Sequence, residues 1–156
     1  MKLKGLSIMV TGGAGFIGSH LVEALSKDNK VVVYDNFSSA VVPFEHLRGI
    51  KGDILDQQKL AQVIRGVDVV FHLAVACVRL SLGDPRYVHD VNATGTLNTL
   101  LAAKKARVKR FVYISSSEVY GTAKKKKIDE GHPIDPTTVY GMSKYMGEEY
   151  TRLFSP

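Results

Sequence analysis

The stretch Val10-Thr11-Gly12-Gly13-Ala14-Gly15-Phe16-Ile17-Gly18-Ser19-His20 turns an apolar strand into a helix through glycines. The first turn of a helix has backbone N–H groups with no intrahelical partner, and such donors form a ready site for a pyrophosphate. The glycines read two ways, as Gly13-x-Gly15-x-x-Gly18 or as the wider Gly12-x-x-Gly15-x-x-Gly18. Both spacings predict a bound dinucleotide. Neither by itself predicts a reaction.

The flanks strengthen the reading. Leu6 to Val10 is a short apolar run suited to a buried parallel strand, and Phe16, Ile17, Leu21, Val22 and Leu25 recur at helical spacing behind the glycines. The next strand, Lys30 to Tyr34, runs into Asp35, 20 residues after Gly15. A carboxylate there accepts both hydroxyls of an adenosine ribose and repels a 2′-phosphate, which favours NAD over NADP.

With 156 residues the chain is expected to form one domain. The basic opening Met1-Lys2-Leu3-Lys4 leads into an apolar run only one strand long, so no signal peptide is expected, and no segment is long enough to span a membrane. Cys77 is the single cysteine, which excludes an internal disulfide and suggests a reduced thiol in a cytoplasmic protein. The net charge of +6 includes Lys124-Lys125-Lys126-Lys127 in a loop, and Lys104, Lys105, Arg107, Lys109 and Arg110 around a helix end. Cations suit a helix C-terminus. The lysine run has no interleaved aromatics, so a solvated loop is expected rather than a nucleic-acid surface.

Farther along, a loop from Asn36 to Glu45 precedes a short segment near His46 to Lys51. Gly52-Asp53-Ile54 then turns into a helix from about Asp56 to Arg65, with Leu60, Val63 and Ile64 on its apolar face. Val67 to Leu73 reads as a fourth strand. Asp84-Pro85 opens a helix that continues to about Arg107 with apolar residues on both faces, among them Tyr87, Val88, Val91, Leu97, Leu100 and Leu101. A fifth strand, Arg110 to Ser115, precedes a long loop and a last helix from about Thr138 to Phe154. Strands alternating with helices at this spacing predict a doubly wound α/β fold, with the ligand at the carboxyl ends of the strands.

Tyr140 and Lys144 stand one helical turn apart, on one face. A free phenol titrates near pH 10, and about 4 kcal/mol of differential stabilisation, from a nearby ammonium and a positive nicotinamide ring, makes a phenolate base at neutrality. Such a phenolate removes a hydroxyl proton as hydride leaves for the cofactor. Ser115-Ser116-Ser117-Glu118 lies where the fifth strand ends, the edge at which these sheets keep their active groups. A hydroxyl there can stabilise charge developing on the reacting alcohol.

These patches together resemble the N-terminal, NAD-binding part of an extended short-chain dehydrogenase, of the nucleotide-sugar epimerase and dehydratase group. The resemblance rests on Thr11 to Gly18, Asp35-Asn36, Gly52-Asp53, His72-Leu73-Ala74, Asp84-Pro85, Asn92 to Thr96, Ser115 to Gly121 and Tyr140 to Lys144. It implies a Rossmann-like sheet and NAD held by Gly12, Gly15, Phe16, Ile17, Gly18, Asp35, Asn36, Asp53, Ile54, Leu73, Ala74, Tyr140 and Lys144. Within that set, Asp53 would meet the adenine amino group, Ile54 would pack on the ring, and Leu73 and Ala74 would line the ribose. The resemblance also implies that Tyr140 is the acid/base, that Lys144 tunes it and binds the nicotinamide ribose, and that Ser116 is the active-site hydroxyl. Asn92 would support the site from its helix, and Ser117 and Glu118 are further candidates.

The implied substrate is a nucleoside-diphosphate sugar, with a UDP-sugar preferred. Such enzymes oxidise a sugar hydroxyl, alter the ketone and reduce it with the same cofactor. Dehydratases carry Asp-Glu after the active hydroxyl, where this chain has Ser117-Glu118, so that reaction is disfavoured. A 4-epimerase is preferred, with a UDP-glucuronic acid decarboxylase and a non-catalytic nucleotide-binding or assembly module as alternatives. Glu118 reads equally as a structural acceptor for loop amides.

The family's chains continue past the Tyr-x-x-x-Lys helix into a substrate domain, so this chain is expected to be truncated, weak or inactive alone, and without a neighbour for its fifth strand. Homodimers are expected through helices 84–107 and 138–154. His20, His46, His72, His89 and His132 lack metal-ligand spacing and read as scattered surface or helix histidines, so no metal is expected. Cys77 reads as a packed small residue, and Asp129 and Glu130 as loop charges.

Overall fold

The computed structural model of the chain describes residues 3–43 and 49–154. Among these, five parallel strands form one sheet: β1 (Ser7–Thr11), β2 (Lys30–Asp35), β3 (Gly49–Lys51), β4 (Val69–His72) and β5 (Arg110–Tyr113). Their order is β3-β2-β1-β4-β5, so the sheet grows outward from β1 in both directions. This is the doubly wound, Rossmann-like arrangement expected from the sequence. The point where its winding reverses lies at the carboxyl ends of β1 and β4.

The chain divides into two compact units. The first runs to Ala74 and resumes over Asn98–Ile114; the second is Val75–Leu97 with the chain from Ser115 onward. The first unit holds the sheet with α1 (Phe16–Ser26), α2 (Gln57–Val63) and, from Asn98 onward, α4 (Gly95–Lys105). Its strands read as apolar runs because both faces are covered: Ile8, Met9, Val10, Val69 and Val70 are fully buried. Leu21, Val22 and Leu25 of α1 pack on Ile8, Val10 and Val69. Phe16 and Ile17, expected on the same face, are 71% and 64% exposed, because the first helical turn carries its side chains outside that cluster.

Asp56 stands outside α2 as its cap, its side chain accepting from the Lys59 N–H at 2.9 Å. The expected segment near His46 is described only as Gly49–Lys51, and His46 lies outside the described residues, as do Phe44 and Glu45 of the preceding loop.

The second unit comprises a 3-10 turn at Val78–Leu82, α3 (Pro85–His89), a π turn at Asp90–Thr94, a 3-10 turn at Ser117–Tyr120 and α5 (Val139–Phe154). The single helix expected from Asp84 to Arg107 is therefore interrupted. Asp84 caps α3 through the Tyr87 N–H (2.9 Å), the backbone widens over Asp90–Thr94, and α4 follows. The Thr96 hydroxyl donates to the Asn92 carbonyl (2.6 Å), giving that carbonyl a side-chain donor in the widened segment. After Lys105, Arg107 turns left-handed at φ 57° and the Val108 N–H reaches the Ala103 carbonyl at 3.0 Å, which closes the helix. No helix of the described residues is long and apolar enough to cross a membrane.

Candidate active site

In the first unit the glycine turn is shaped by close backbone approach. Gly12 has φ +71°, and a Cβ on it would lie 2.6 Å from the Ala74 amide nitrogen; a Cβ on Gly18 would lie 2.2 Å from the Gly12 carbonyl. Hydrogen is the only side chain that fits at either position. The cap of α1 is Gly15, with no side-chain cap bond and no acidic residue in the first turn. The helix N-terminus thus offers donors to an anion from outside the chain, at the point where the sheet reverses.

The residues around this turn are tied together by side chains. Asp35 accepts from the Ala14 N–H (2.9 Å) through one oxygen and from the Phe37 N–H (2.7 Å) through the other, so it joins the turn to the end of β2. Each oxygen keeps a lone pair for a ribose hydroxyl. Asp53 accepts from the Asn36 amide (3.1 Å) and the Leu55 N–H (2.9 Å), and Ile54 is buried. Leu73 and Ala74 are half-buried; their N–H groups donate to the Thr11 carbonyl (3.0 Å) and hydroxyl (3.3 Å). The Thr11 hydroxyl also meets His72 Nδ1 at 2.7 Å. The donors, the glycine cradle and the carboxylates fit a dinucleotide.

In the second unit α5 packs against α3, the π turn and both 3-10 turns. Thr138 caps it, accepting from the Gly141 N–H at 2.9 Å. A Cβ on Gly141 would lie 2.5 Å from the Glu118 carbonyl, so the first turn of α5 runs directly against the segment following Ser116. The Ser116 hydroxyl accepts from the Glu118 N–H (3.2 Å), which leaves its hydrogen to donate. Ser117 is exposed, and the Glu118 carboxylate accepts from no loop amide among the described residues.

Tyr140 is half-buried, and its hydroxyl has no hydrogen-bond partner among the described residues. One turn later Lys144 is buried, and burial lowers its ammonium pKa to about 8 despite the favourable field of Glu148. Asn92, buried in the π turn, accepts from the Ala76 N–H (2.8 Å) and donates to the Ala76 carbonyl (3.0 Å) and to the Ser143 hydroxyl (3.1 Å). Ser143 in turn donates to the Tyr140 carbonyl (2.8 Å). This relay links the chain after β4 to the first turn of α5. The unit can therefore present a phenol, an ammonium and a serine hydroxyl, the set needed to move a proton on and off an alcohol.

The chain matches the NAD dependent epimerase/dehydratase family over residues 8–155. It belongs to that family. NAD is the family's cofactor. A putative UDP-glucose 4-epimerase of Methanocaldococcus jannaschii is 39% identical, with 95% of this chain and 50% of that protein covered. A UDP-N-acetylglucosamine 4-epimerase of Methanobrevibacter ruminantium, solved with UDP-N-acetylmuramic acid, superimposes with a TM-score of 0.88 at 36% identity, covering 97% of this chain and 51% of that one. A UDP-glucose 4-epimerase of Brucella ovis, solved with NAD, gives 0.89 at 32% identity, covering 96% and 48%. The chain spans about half the length of the curated relatives it matches.

Several expectations about individual residues of this epimerase/dehydratase family member need correction. Cys77 is exposed rather than packed: Ala76 is held inward by Asn92, and Cys77 stands outside as the residue opening the 3-10 turn. His72 and His132 are buried rather than superficial. His132 Nε2 accepts from the Lys124 N–H (3.1 Å), its Nδ1 bonds the Pro133 carbonyl (3.0 Å), and its ring meets Tyr120 edge-on. That anchors one end of the lysine run, where Lys124 also pairs with Asp135 at 2.8 Å. Among the described residues no cluster could hold a metal ion. Thr11, Gly141 and Ser143 lie within the motif stretches but had no role of their own assigned; a polar residue ending a buried strand was the only signal for the first.

Proposed function

We propose that this chain carries the NAD-binding and proton-transfer parts of a nucleotide-sugar 4-epimerase, with a UDP-sugar as substrate. Bound NAD+ would supply a hydride acceptor for the sugar carbon and return the hydride afterwards. Tyr140 takes the hydroxyl proton as the alcohol becomes a ketone and gives it back on reduction. Lys144 keeps a cation one turn away, favouring the phenolate, and binds the nicotinamide ribose. Ser116 donates to the reacting oxygen. The observation that carries this reading is the unpaired Tyr140 hydroxyl beside a buried Lys144 on one helix. Turnover by this chain alone is expected to be slow, because it spans about half the length of the relatives it matches.

Incubation with UDP-galactose and NAD, followed by sugar analysis, tests the proposal. Interconversion to UDP-glucose that disappears in Tyr140→Phe supports it. NAD that fails to bind at millimolar concentration rejects it, and bound NAD with no interconversion leaves the nucleotide-binding module as the better description. The free Glu118 carboxylate favours one further reading, decarboxylation of a UDP-glucuronate, for which release of carbon dioxide is the discriminating assay. Homodimers through residues 84–107 and 138–154 are also proposed, since Tyr87, Leu101, Met142 and Leu153 are exposed. Light scattering that gives a monomer at high concentration rejects that pairing.

A further inference from the structure

The turn that follows β3 is gripped by three side chains of the first unit, two from the end of β2 and one from α4. The Tyr34 hydroxyl donates to the Asp53 carbonyl (2.9 Å), and the Asn98 amide donates to the next carbonyl, that of Ile54 (3.2 Å). The Asn36 amide holds the Asp53 carboxylate at 3.1 Å. Asn98 is itself oriented, since its Oδ1 accepts from the Gln57 amide (2.9 Å) and a flip would break both bonds. Tyr34 is fully buried, with its ring where a side chain on Gly52 would stand: a Cβ there would be 2.4 Å from Cε2. Burial and the nearby Asp56 and Asp53 raise the phenol pKa to about 12, so it stays a donor throughout the ordinary pH range.

Two consecutive carbonyls of the turn are thus held by buried donors from β2 and α4. Within it both Asp53 oxygens are already oriented, by Asn36 and by the Leu55 N–H, so the remaining lone pairs have set directions. We propose that Tyr34 and Asn98 are positioning residues for the purine end of the dinucleotide, holding the Gly52–Leu55 turn so that Asp53 accepts from an exocyclic amino group. Adenine offers that donor; guanine presents a carbonyl at the same position, and a fixed carboxylate repels it. The inference rests on the reading above that Asp53 meets the adenine of NAD.

The test is titration of the intact chain with AMP and with GMP, followed by protein NMR, for the wild type, Asn98→Ala and Tyr34→Phe. Loss of one hook is expected to weaken AMP binding about fivefold to tenfold and to shrink the preference for AMP over GMP. A residue that only stabilises the fold lowers both affinities together and leaves their ratio unchanged, and that outcome overturns the inference. Unchanged AMP affinity in the folded variants overturns it too. If Asn98→Ala does not fold, Tyr34→Phe decides, because the ring and its packing remain. A wild-type chain that fails to bind AMP removes the NAD reading as well, whereas normal AMP binding with unaffected variants removes this inference alone.

Discussion

The candidate regions in the two units are built from different materials. In the first unit, Gly12 and Gly18 let the backbone approach closely by lacking side chains, Gly15 caps α1 without a side-chain bond, and Asp35 and Thr11 tie the backbone in place. In the second, Tyr140, Lys144 and Ser116 contribute side-chain chemistry, and Asn92 and Ser143 hold the helix that bears two of them. Backbone donors recognise an anion of fixed geometry and move no proton themselves. A side-chain site can exchange protons, but only if buried polar groups fix it, since each unsatisfied one costs about 1 to 3 kcal/mol.

The strongest test of this contrast is Tyr140→Phe, expected to lower any interconversion about a thousandfold while NAD affinity falls by far less in a binding titration. The converse is Gly18→Ala, whose methyl would meet the Gly12 carbonyl. It is expected to cost about 3 kcal/mol in urea unfolding and to abolish NAD binding.

Lys144 supplies a pH signature for the second unit. Its pKa is about 8 when folded and about 10.4 when unfolded, so the unfolded chain binds more protons between those values. Stability contributed by this residue therefore rises with pH from about 8 to about 10.5, by about 3 kcal/mol. Lys144→Met should remove that rise, as denaturation at several pH values would show. Asn92→Ala, which strips the partners from Ala76 and Ser143, should cost about 2 kcal/mol. The smallest effect is expected for Lys124→Ala: its pair with Asp135 is more than half exposed on both sides, and the Tm should not move measurably.

Legibility followed the same division. The strands showed as short apolar runs because both sheet faces are covered, and the glycine turn showed because only hydrogen fits at Gly12 and Gly18. Tyr140 and Lys144 showed because helical spacing alone puts them on one face. The π turn did not, since Asp90 to Thr94 holds no proline or glycine to mark a break and the widening is a matter of backbone hydrogen-bonding register. Cys77 was misread because its neighbour Ala76, and not its own chemistry, decides which way the chain turns. His72 and His132 were misread because their partners, Thr11 and Lys124, are fixed by folding.

By itself the sequence determined a parallel sheet with a dinucleotide turn and a Tyr-x-x-x-Lys helix, because apolar period and glycine sterics act over a few residues. The tertiary structure alone decided which polar side chains hold those features. The Asn92 relay spans 51 residues to Ser143, and the hook of Asn98 spans 44 to Ile54. Partners so far apart leave no local pattern, and hydrogen-bond geometry selects them only once the chain has closed.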